Sequence, residues 1–273
     1  MFRMPSPSSP VVSGHARPVT GLPKLARHLL SCCALALLGM APAHADEVQV
    51  AVAANFAGPF QQIAAGFTAA TGHQAVVSTG STGKFHAQIR NGAPFAVLIA
   101  ADDETPAKLI EEGLAVKGSS FTYAVGKLVL WSAKPGFVDA QGEVLKKGQF
   151  EHLSIANPKL APYGAAGLEV LKKLGVHDAL APKIVQADNI AQAQQFVATG
   201  NAELGFVALS QVAIPGKPAV GSWWQVPQAL YTPIRQNAVL LSTGANQAAA
   251  QALLKYLQSD AAKAVIQAWG YGL

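Results

Sequence analysis

Apolar residues follow two different periods between residues 48 and 67. Three valines alternate with other residues from 48 to 52, which predicts a β-strand. After Asn55, whose residue type favours a helix N-cap, the apolar positions fall three or four residues apart, as on one face of a helix: Phe60, Ile63, Ala64 and Phe67. The chain is therefore predicted to run from a strand through a tight turn into a helix, whose N-terminal N–H groups attract anions.

A second stretch of the same kind begins at Val76. A short strand leads into the small polar residues of 78–83, and a helix with Phe85 and Ile89 on one face follows. Ser81 and Thr82 supply neutral hydrogen-bond donors in this turn. Because both turns follow a strand and precede a helix, they can face one crevice, which is where open α/β sheets bind ligands.

The rest of the chain also alternates strand-like and helix-like stretches, which predicts an α/β fold. Two long β-rich runs, residues 121–132 and 231–241, bracket a middle segment whose residues 215–227 are predicted to be irregular. This pattern predicts two lobes, with the middle segment inserted into the first and two crossover strands acting as a hinge. The predicted bounds are 46–125 with 235–273 for the first lobe and 126–234 for the second.

The first 45 residues have the features of a secretory signal peptide. Lys24 and Arg27 precede an apolar run from 29 to 40, and Ala43 and Ala45 offer small residues for cleavage before residue 46. The run is too short for a membrane span. The chain's two cysteines, Cys32 and Cys33, lie in this segment, so the mature chain is predicted to have neither disulfide nor thiol chemistry.

The charge of the mature chain differs from that of the precursor. The chain has 20 Lys and Arg and 15 Asp and Glu, and four of the basic residues and none of the acidic ones lie in the first 45 residues. Sixteen basic residues against fifteen acidic ones leave a net charge of +1. This near balance gives no support for nucleic-acid binding, and no nucleic-acid partner is expected.

The motifs for catalysis and for cofactor binding are missing from the sequence. Residues 80–84, Gly-Ser-Thr-Gly-Lys, lack the spacing of a phosphate-binding P-loop, and no G-x-S-x-G nucleophile motif occurs. The histidines of the mature chain are too widely spaced for a metal site. Asp102 and Asp103 are adjacent and are predicted to cap a helix on the solvated surface. An enzyme is therefore not expected, nor is a cofactor.

Four loops each follow a predicted strand, precede a predicted helix and are rich in hydrogen-bond donors: 53–55, 78–83, 162–164 and 188–190. Two belong to each predicted lobe. Their donors are backbone N–H groups, an amide, hydroxyls and a phenol, and Lys84 is the one cation beside them. A closing cleft of neutral donors suits a fully deprotonated oxyanion, because each of its oxygens accepts hydrogen bonds and helix dipoles supply positive potential.

The mature chain resembles the periplasmic molybdate-binding proteins of ABC transporters. The resemblance rests on motifs that span nearly the whole mature chain in order: Ala-Ala-Asn-Phe at 53–56, Ser-Thr-Gly-Ser-Thr-Gly at 78–83, and the runs at 91–103, 121–132, 156–164 and 204–209. It implies a two-lobed type II periplasmic binding protein fold, with a mixed sheet flanked by helices in each lobe. It also implies a monomer in the periplasm, with molybdate and tungstate as ligands and the membrane permease of an ABC transporter as partner.

The resemblance also implies the ligand contacts, which by motif position fall on Ala54, Asn55, Ser81, Thr82, Tyr163 and Ile190. Ala54 and Ile190 would act through backbone N–H groups, and Tyr163 through its hydroxyl or its amide. These residues form a metal site only in the sense that molybdate contains a metal. The chain departs from some members that have a tyrosine at the position of Ala208, and from others that have a hydroxyl residue at the position of Ala54.

Two alternatives stay open at this level. Sulfate has the same shape and charge as molybdate and differs mainly in size. A periplasmic enzyme would have to use Asp102 or Asp103, although adjacent side chains on an extended backbone point in opposite directions. Tyrosine pairs that bind iron, and the acid with arginine that binds an amino acid, are missing from the four loops.

Overall fold

The structure is a computed structural model that describes residues 45–273. The predicted signal peptide, with its apolar run and both cysteines, lies outside the described residues. Among residues 45–273, no helix has both the length and the apolar character that a membrane span needs.

The strands form two five-stranded sheets. The first sheet contains β1 (Glu47–Ala53), β2 (Gln74–Gly80), β3 (Val97–Ile99), β4 (Phe121–Gly126) and β10 (Ile234–Leu240), in the order β2-β1-β3-β10-β4. Strands β1, β2 and β3 are parallel, and β10 runs antiparallel to β3 and β4. The C-terminal ends of β1 and β2 therefore lie side by side, with Ala53 opposite Gly80.

The second sheet contains β5 (Leu128–Ser132), β6 (Leu153–Ala156), β7 (Ile184–Ala187), β8 (Leu204–Ala208) and β9 (Ser222–Gln225), in the order β7-β6-β8-β5-β9. Strand β6 is parallel to β7 and β8, and β5 is antiparallel to β8 and β9. Both sheets are mixed, which confirms the predicted two-lobed α/β class. The exact lobe boundaries stay a prediction.

The prediction of an irregular segment at 215–227 is wrong, because it contains β9. In this strand Trp223 pairs with Trp131, and Trp224 pairs with Leu130. The four-residue strand has no periodic signal of its own, and its pairing with β5 depends on residues about ninety positions earlier in the chain.

Helices follow most strands and cover the sheets. Their bounds are α1 Ala57–Thr71, α2 Thr82–Arg90, α3 Glu104–Glu111, α4 Val144–Lys147, α5 Pro162–Lys173, α6 His177–Leu180, α7 Ile190–Ala198, α8 Leu209–Val212, α9 Ala248–Leu257 and α10 Asp260–Ala268. Helix α1 buries Phe60, Ile63 and Phe67, as the periodicity predicts, and Ala64 of the same predicted face is half-buried. It ends at Gly72, whose φ of 79° suits a residue without a Cβ.

The N-cap prediction for Asn55 is wrong. A 3₁₀ turn of Ala54–Phe56 separates β1 from α1, and Phe56 occupies the N-cap position. The side chain of Asn55 bonds elsewhere, as described below, so this turn is held by tertiary contacts rather than by a local cap.

Each sheet has a hydrophobic core on its helix-covered faces. Three residues at or just beyond the C-terminal ends of strands in the first sheet also pack into the core of the second: Ala53, Ala54 and Ala101. The chain passes from β4 to β5 at Gly126 and Lys127, and returns from β9 to β10 before Ile234. The two sheets therefore meet near the C-terminal ends of β1 and β3.

Candidate functional site

The six residues predicted to contact the ligand line one small cavity. Its other lining residues are Ala53, Gly80, Ala101, Ala161 and Pro162. The volume of this cavity is about 10 Å³. The turns after β1 and β2 meet there with the N-termini of α5 and α7. The structure thus brings together segments that are up to 136 positions apart in the chain, from Ala54 to Ile190.

At the N-terminus of α7, the cap leaves one donor for the cavity. The Asn189 Oδ1 atom accepts from the backbone N–H groups of Ala191 and Gln192, at 2.9 and 3.0 Å. The N–H of Ala193 bonds to the carbonyl of Asn189. The first N–H of a helix has no acceptor within that helix, so that of Ile190 is the remaining first-turn donor.

The N-terminus of α5 has a similar arrangement. Pro162 has no N–H, and the N–H groups of Gly164 and Ala165 bond to the carbonyl of Ala161. The N–H of Tyr163 is therefore the remaining donor of this first turn. Both helices direct the positive ends of their dipoles toward the cavity, which favours a negative charge there.

The turn after β2 supplies two hydroxyls. Ser81, the N-cap residue of α2, is 4% exposed, and its Oγ atom has no hydrogen-bond partner among the described residues. The Thr82 Oγ1 atom accepts from the N–H of Ala101 at 3.0 Å, which leaves its proton available for donation. A buried hydroxyl without a partner is costly, so the Ser81 Oγ atom has the property expected of a ligand-binding group.

The turn after β1 is held by Asn55. Its Nδ2 atom donates to Gln236 Oε1 at 2.9 Å and to Tyr271 Oη at 3.0 Å. Its backbone carbonyl accepts from Ser210 Oγ at 2.9 Å and from Tyr271 Oη at 2.8 Å. Both side-chain donors of Asn55 are therefore engaged by the protein.

The hydroxyl of Tyr163 is engaged as well. It accepts from Gln236 Nε2 at 3.0 Å, and the side chain is 1% exposed. Burial raises the pKa of Tyr163 well above its usual value and that of Tyr271 to about 12. Both phenols therefore keep their protons at neutral pH.

Gln236, Tyr271, Tyr123 and Ser210 belong to this buried network, and sequence analysis missed all of them. For Gln236 a signal was available. Strand β10 alternates, and Ile234, Gln236, Ala238 and Leu240 are all buried. A glutamine on the buried face of a strand needs hydrogen-bond partners, so it marks a polar network. For Tyr271 and Ser210 we find no comparable signal in the sequence.

The cavity is electrically neutral in its side chains. None of the residues that line it within 45–273 is charged. Lys84, the nearest cation of the four loops, bonds instead to Asp188, with 2.8 Å between Nζ and Oδ2, and both side chains are exposed to solvent. This pair joins α2 to the turn before α7.

A larger groove of about 370 Å³ opens beside the cavity and shares Ala101, Ala161 and Pro162 with it. Its lining includes charged side chains of both signs: Asp102, Asp103, Glu104, Glu169, Lys108, Lys159 and Arg235. It lacks the neutral donor set, and its place next to the cavity suits an approach route for a ligand.

Asp103 holds the N-cap position of α3, but its side chain makes no capping bond, so the capping prediction is wrong for it. Asp102, one residue earlier, bonds to the first turn, as predicted. Its Oδ1 atom accepts from the N–H of Thr105 at 2.9 Å, and its Oδ2 atom accepts from the hydroxyl of the same residue at 3.2 Å. The side chain is half-buried rather than fully solvated, and this burial raises the pKa of Asp102 above its ordinary 3.8. Asp103 is exposed. No group of three His, Cys, Asp or Glu within residues 45–273 could hold a metal ion.

The raised pKa predicts the effect of Asp102→Asn on stability. A carboxyl whose pKa is higher in the folded state costs stability where it is ionised, and the cost disappears below its unfolded pKa of 3.8. The amide keeps an acceptor for Thr105. We expect the variant to match or exceed the parent's free energy of unfolding at pH 7, with the gain fading toward pH 3.8. Urea unfolding across this range measures it, and a loss at pH 7 would show that the carboxylate itself is required.

Comparison with known proteins gives consistent matches. A family model described as bacterial extracellular solute-binding protein matches residues 48–272. The molybdate-binding protein ModA of Azotobacter vinelandii is 63% identical over 231 residues, covering 85% of this chain and 92% of that protein. ModA of Rhodobacter capsulatus is 56% identical over 240 residues, covering 87% and 94%.

A solved structure agrees with these matches. The Azotobacter vinelandii periplasmic molybdate-binding protein is similar with a TM-score of 0.81 and 46% identity, over 83% of this chain and 99% of that one. The family model and the two relatives each cover well over two thirds of the chain. The chain therefore belongs to the bacterial extracellular solute-binding protein family.

Proposed function

We propose that this protein captures molybdate in the periplasm, between its two sheets, and delivers it to the permease of an ABC importer. One observation carries the proposal: neutral donors from four turns, two beside each sheet, converge on one cavity that no charged side chain of residues 45–273 lines. The names of the similar proteins from Azotobacter and Rhodobacter point to the same ligand.

The donor set fits the chemistry of this anion. Molybdate is a tetrahedral dianion without protons at neutral pH, so its oxygens only accept hydrogen bonds. The hydroxyls of Ser81 and Thr82 and the N–H groups of Tyr163 and Ile190 only need to donate to it. A protonated phosphate would also need an acceptor, and no carboxylate lines the cavity among the described residues.

By the same chemistry, tungstate should bind as molybdate does, and sulfate is the main alternative ligand. Tungstate has the same charge, shape and nearly the same size as molybdate, so we propose it as a second ligand. Sulfate has the same charge and shape but is smaller, and donors fixed at the distances of molybdate would bond it poorly. The protein is proposed to act as a monomer, because the cavity is completed within a single chain.

Calorimetric titration of the mature chain with molybdate, tungstate, sulfate and phosphate, at one pH and one salt concentration, tests the proposal. We expect molybdate and tungstate to bind with similar affinity, and sulfate and phosphate to bind at least about a hundredfold more weakly, which corresponds to about 2.7 kcal/mol. Equal or tighter binding of sulfate, or no binding of molybdate, would contradict the proposal.

The exposed ion pair of Lys84 gives a further prediction. Since solvent screens the Lys84–Asp188 pair and no cation among the described residues lines the cavity, Lys84→Gln should weaken molybdate binding by less than about tenfold. Lys146→Gln is a matched control, because Lys146 forms an exposed pair with Glu143 at 2.8 Å and lines neither the cavity nor the neighbouring groove. A larger loss in Lys84→Gln alone, measured by calorimetry, would indicate a direct ion pair with the anion.

A further inference from the structure

We propose that Gln236 is a positioning residue that couples the two sides of the anion site. This inference rests on the proposed function and deepens it, because it assigns a role to a residue that does not line the cavity. In this role, one buried amide holds Asn55 beside the first sheet and Tyr163 beside the second, so that their donors are set relative to each other.

The geometry of the amide carries the inference. Gln236 lies on β10, is 0% exposed, and accepts at Oε1 from Asn55 Nδ2 at 2.9 Å and from the hydroxyl of Tyr123 at 3.0 Å. At its other end, Nε2 donates to Tyr163 Oη at 3.0 Å. The two ends of the amide therefore bind two residues that line the cavity, Asn55 after a strand of the first sheet and Tyr163 after a strand of the second. Asn55 is 3% exposed and Tyr163 is 1% exposed, so water cannot readily replace either partner.

Gly126 makes room for this contact. A Cβ atom at Gly126 would overlap the hydroxyl of Tyr163 and would lie 2.6 Å from Gln236 Nε2. Gly126 is the last residue of β4, where the chain leaves the first sheet for the second. The side chain of Tyr163 therefore packs directly on the crossover between the sheets, with Gln236 beside it.

A second bond across the sheets supports the same assembly. Ser210 lies on α8, which follows strand β8 of the second sheet. Its Oγ atom donates to the backbone carbonyl of Asn55 at 2.9 Å. Tyr271 also bonds Asn55, so the turn after β1 is fixed from three directions. Tyr271 also approaches the hydroxyl of Tyr163, and Gln236 bonds both Asn55 and Tyr163. Separation of the sheets would break its bond to Tyr163 and keep its bond to Asn55.

A double-mutant cycle with Gln236→Leu and Tyr163→Phe tests the inference, because the phenylalanine variant keeps the backbone N–H of residue 163. Molybdate affinity is measured by calorimetry and ligand-free stability by thermal unfolding. Asn237→Leu is the matched control: within residues 45–273, the side-chain amide of Asn237 bonds Thr122 and Ser120 alone, beside the first sheet. If Gln236→Leu does not fold, Gln236→Met replaces it in the cycle, since it has a similar length and lacks the amide's donor and acceptor.

We expect Tyr163→Phe to bind molybdate about tenfold more weakly, and Gln236→Leu at least as weakly, because it also loses the bonds to Asn55 and Tyr123. The double variant should bind about as weakly as Gln236→Leu alone, because the bond to Tyr163 is already lost in that variant. The control should change affinity less than about threefold. A purely structural role would lower the unfolding temperature without this coupling. Two results would overturn the inference: losses of affinity that add to about a hundredfold or more in the double variant, or an unchanged molybdate affinity in Gln236→Leu. Failure of the parent to bind molybdate would instead overturn the proposed function.

Discussion

Replacing Ser81 by alanine should weaken molybdate binding about ten- to a hundredfold, while the ligand-free protein stays as stable as the parent or becomes slightly more stable. A hydrogen bond to a charged group contributes roughly 1.5–3 kcal/mol, and this one would be lost. Without ligand, the Ser81 Oγ atom is buried without a partner among the described residues, so its removal breaks no bond. Calorimetry measures the first quantity and urea unfolding the second.

Ser154→Ala is the matched control for this prediction. Ser154 lies on β6, is 0% exposed, and its Oγ atom also has no partner among the described residues, but it does not line the cavity. Its replacement should have the same small effect on stability and leave molybdate affinity unchanged. If Ser81→Ala and Ser154→Ala bind molybdate equally well, the Ser81 hydroxyl does not contact the anion.

Replacing Gly126 by alanine should have the largest effect, a loss of molybdate affinity of at least about a hundredfold. The added methyl group would overlap the Tyr163 hydroxyl and lie 2.6 Å from Gln236 Nε2, so the two sides of the cavity could not meet as they do here. A small anion that touches both sides binds only when they approach, and its binding shifts an open–closed equilibrium. We therefore expect saturating molybdate to reduce the radius of gyration of the parent and not that of the variant.

Gly272→Ala provides the control. The backbone of Gly272 pairs with Val125, next to Gly126, but a Cβ atom there would meet Val125 Cβ at an ordinary 3.4 Å. This variant should bind molybdate and compact like the parent in small-angle scattering. Tight binding by Gly126→Ala, or an unchanged radius of gyration in the parent despite confirmed binding, would argue against closure across this crossover.

Much of the fold could be predicted because its signals are local. The change from period two to a helical period around Asn55 locates β1 and α1, and the β-rich run at 121–132 contains β4 and β5. The four loops could be found because each joins a strand to a helix, and the resemblance to molybdate-binding proteins then selected residues within them. The family assignment is confirmed by the comparisons, and the expectation of a binding protein rather than an enzyme is confirmed with it.

The rest depends on contacts between distant parts of the chain. Asn55 has the residue type of a helix cap, but its side chain bonds to Gln236 and Tyr271, more than 180 residues later. The strand at Trp223 forms because β5 offers it an edge. The sequence around Asn55 and around Trp223 does not include the residues that they contact. Local patterns therefore could not predict that these distant contacts would replace a helix cap in one case and form a strand in the other. The predicted site residues share one cavity, and their contacts with an anion stay a prediction.

A crystal structure of the mature chain grown with molybdate, with data collected at the molybdenum absorption edge, tests the central claim most directly. Anomalous scattering locates the metal without reference to the protein. The proposed function predicts one strong peak inside the cavity lined by Ala54, Asn55, Ser81, Thr82, Tyr163 and Ile190, with donor nitrogen and oxygen atoms at hydrogen-bond distances of about 2.7–3.2 Å from the anion's oxygens. A peak in the neighbouring groove lined by Asp102 and Arg235, or anywhere else outside this cavity, would contradict it.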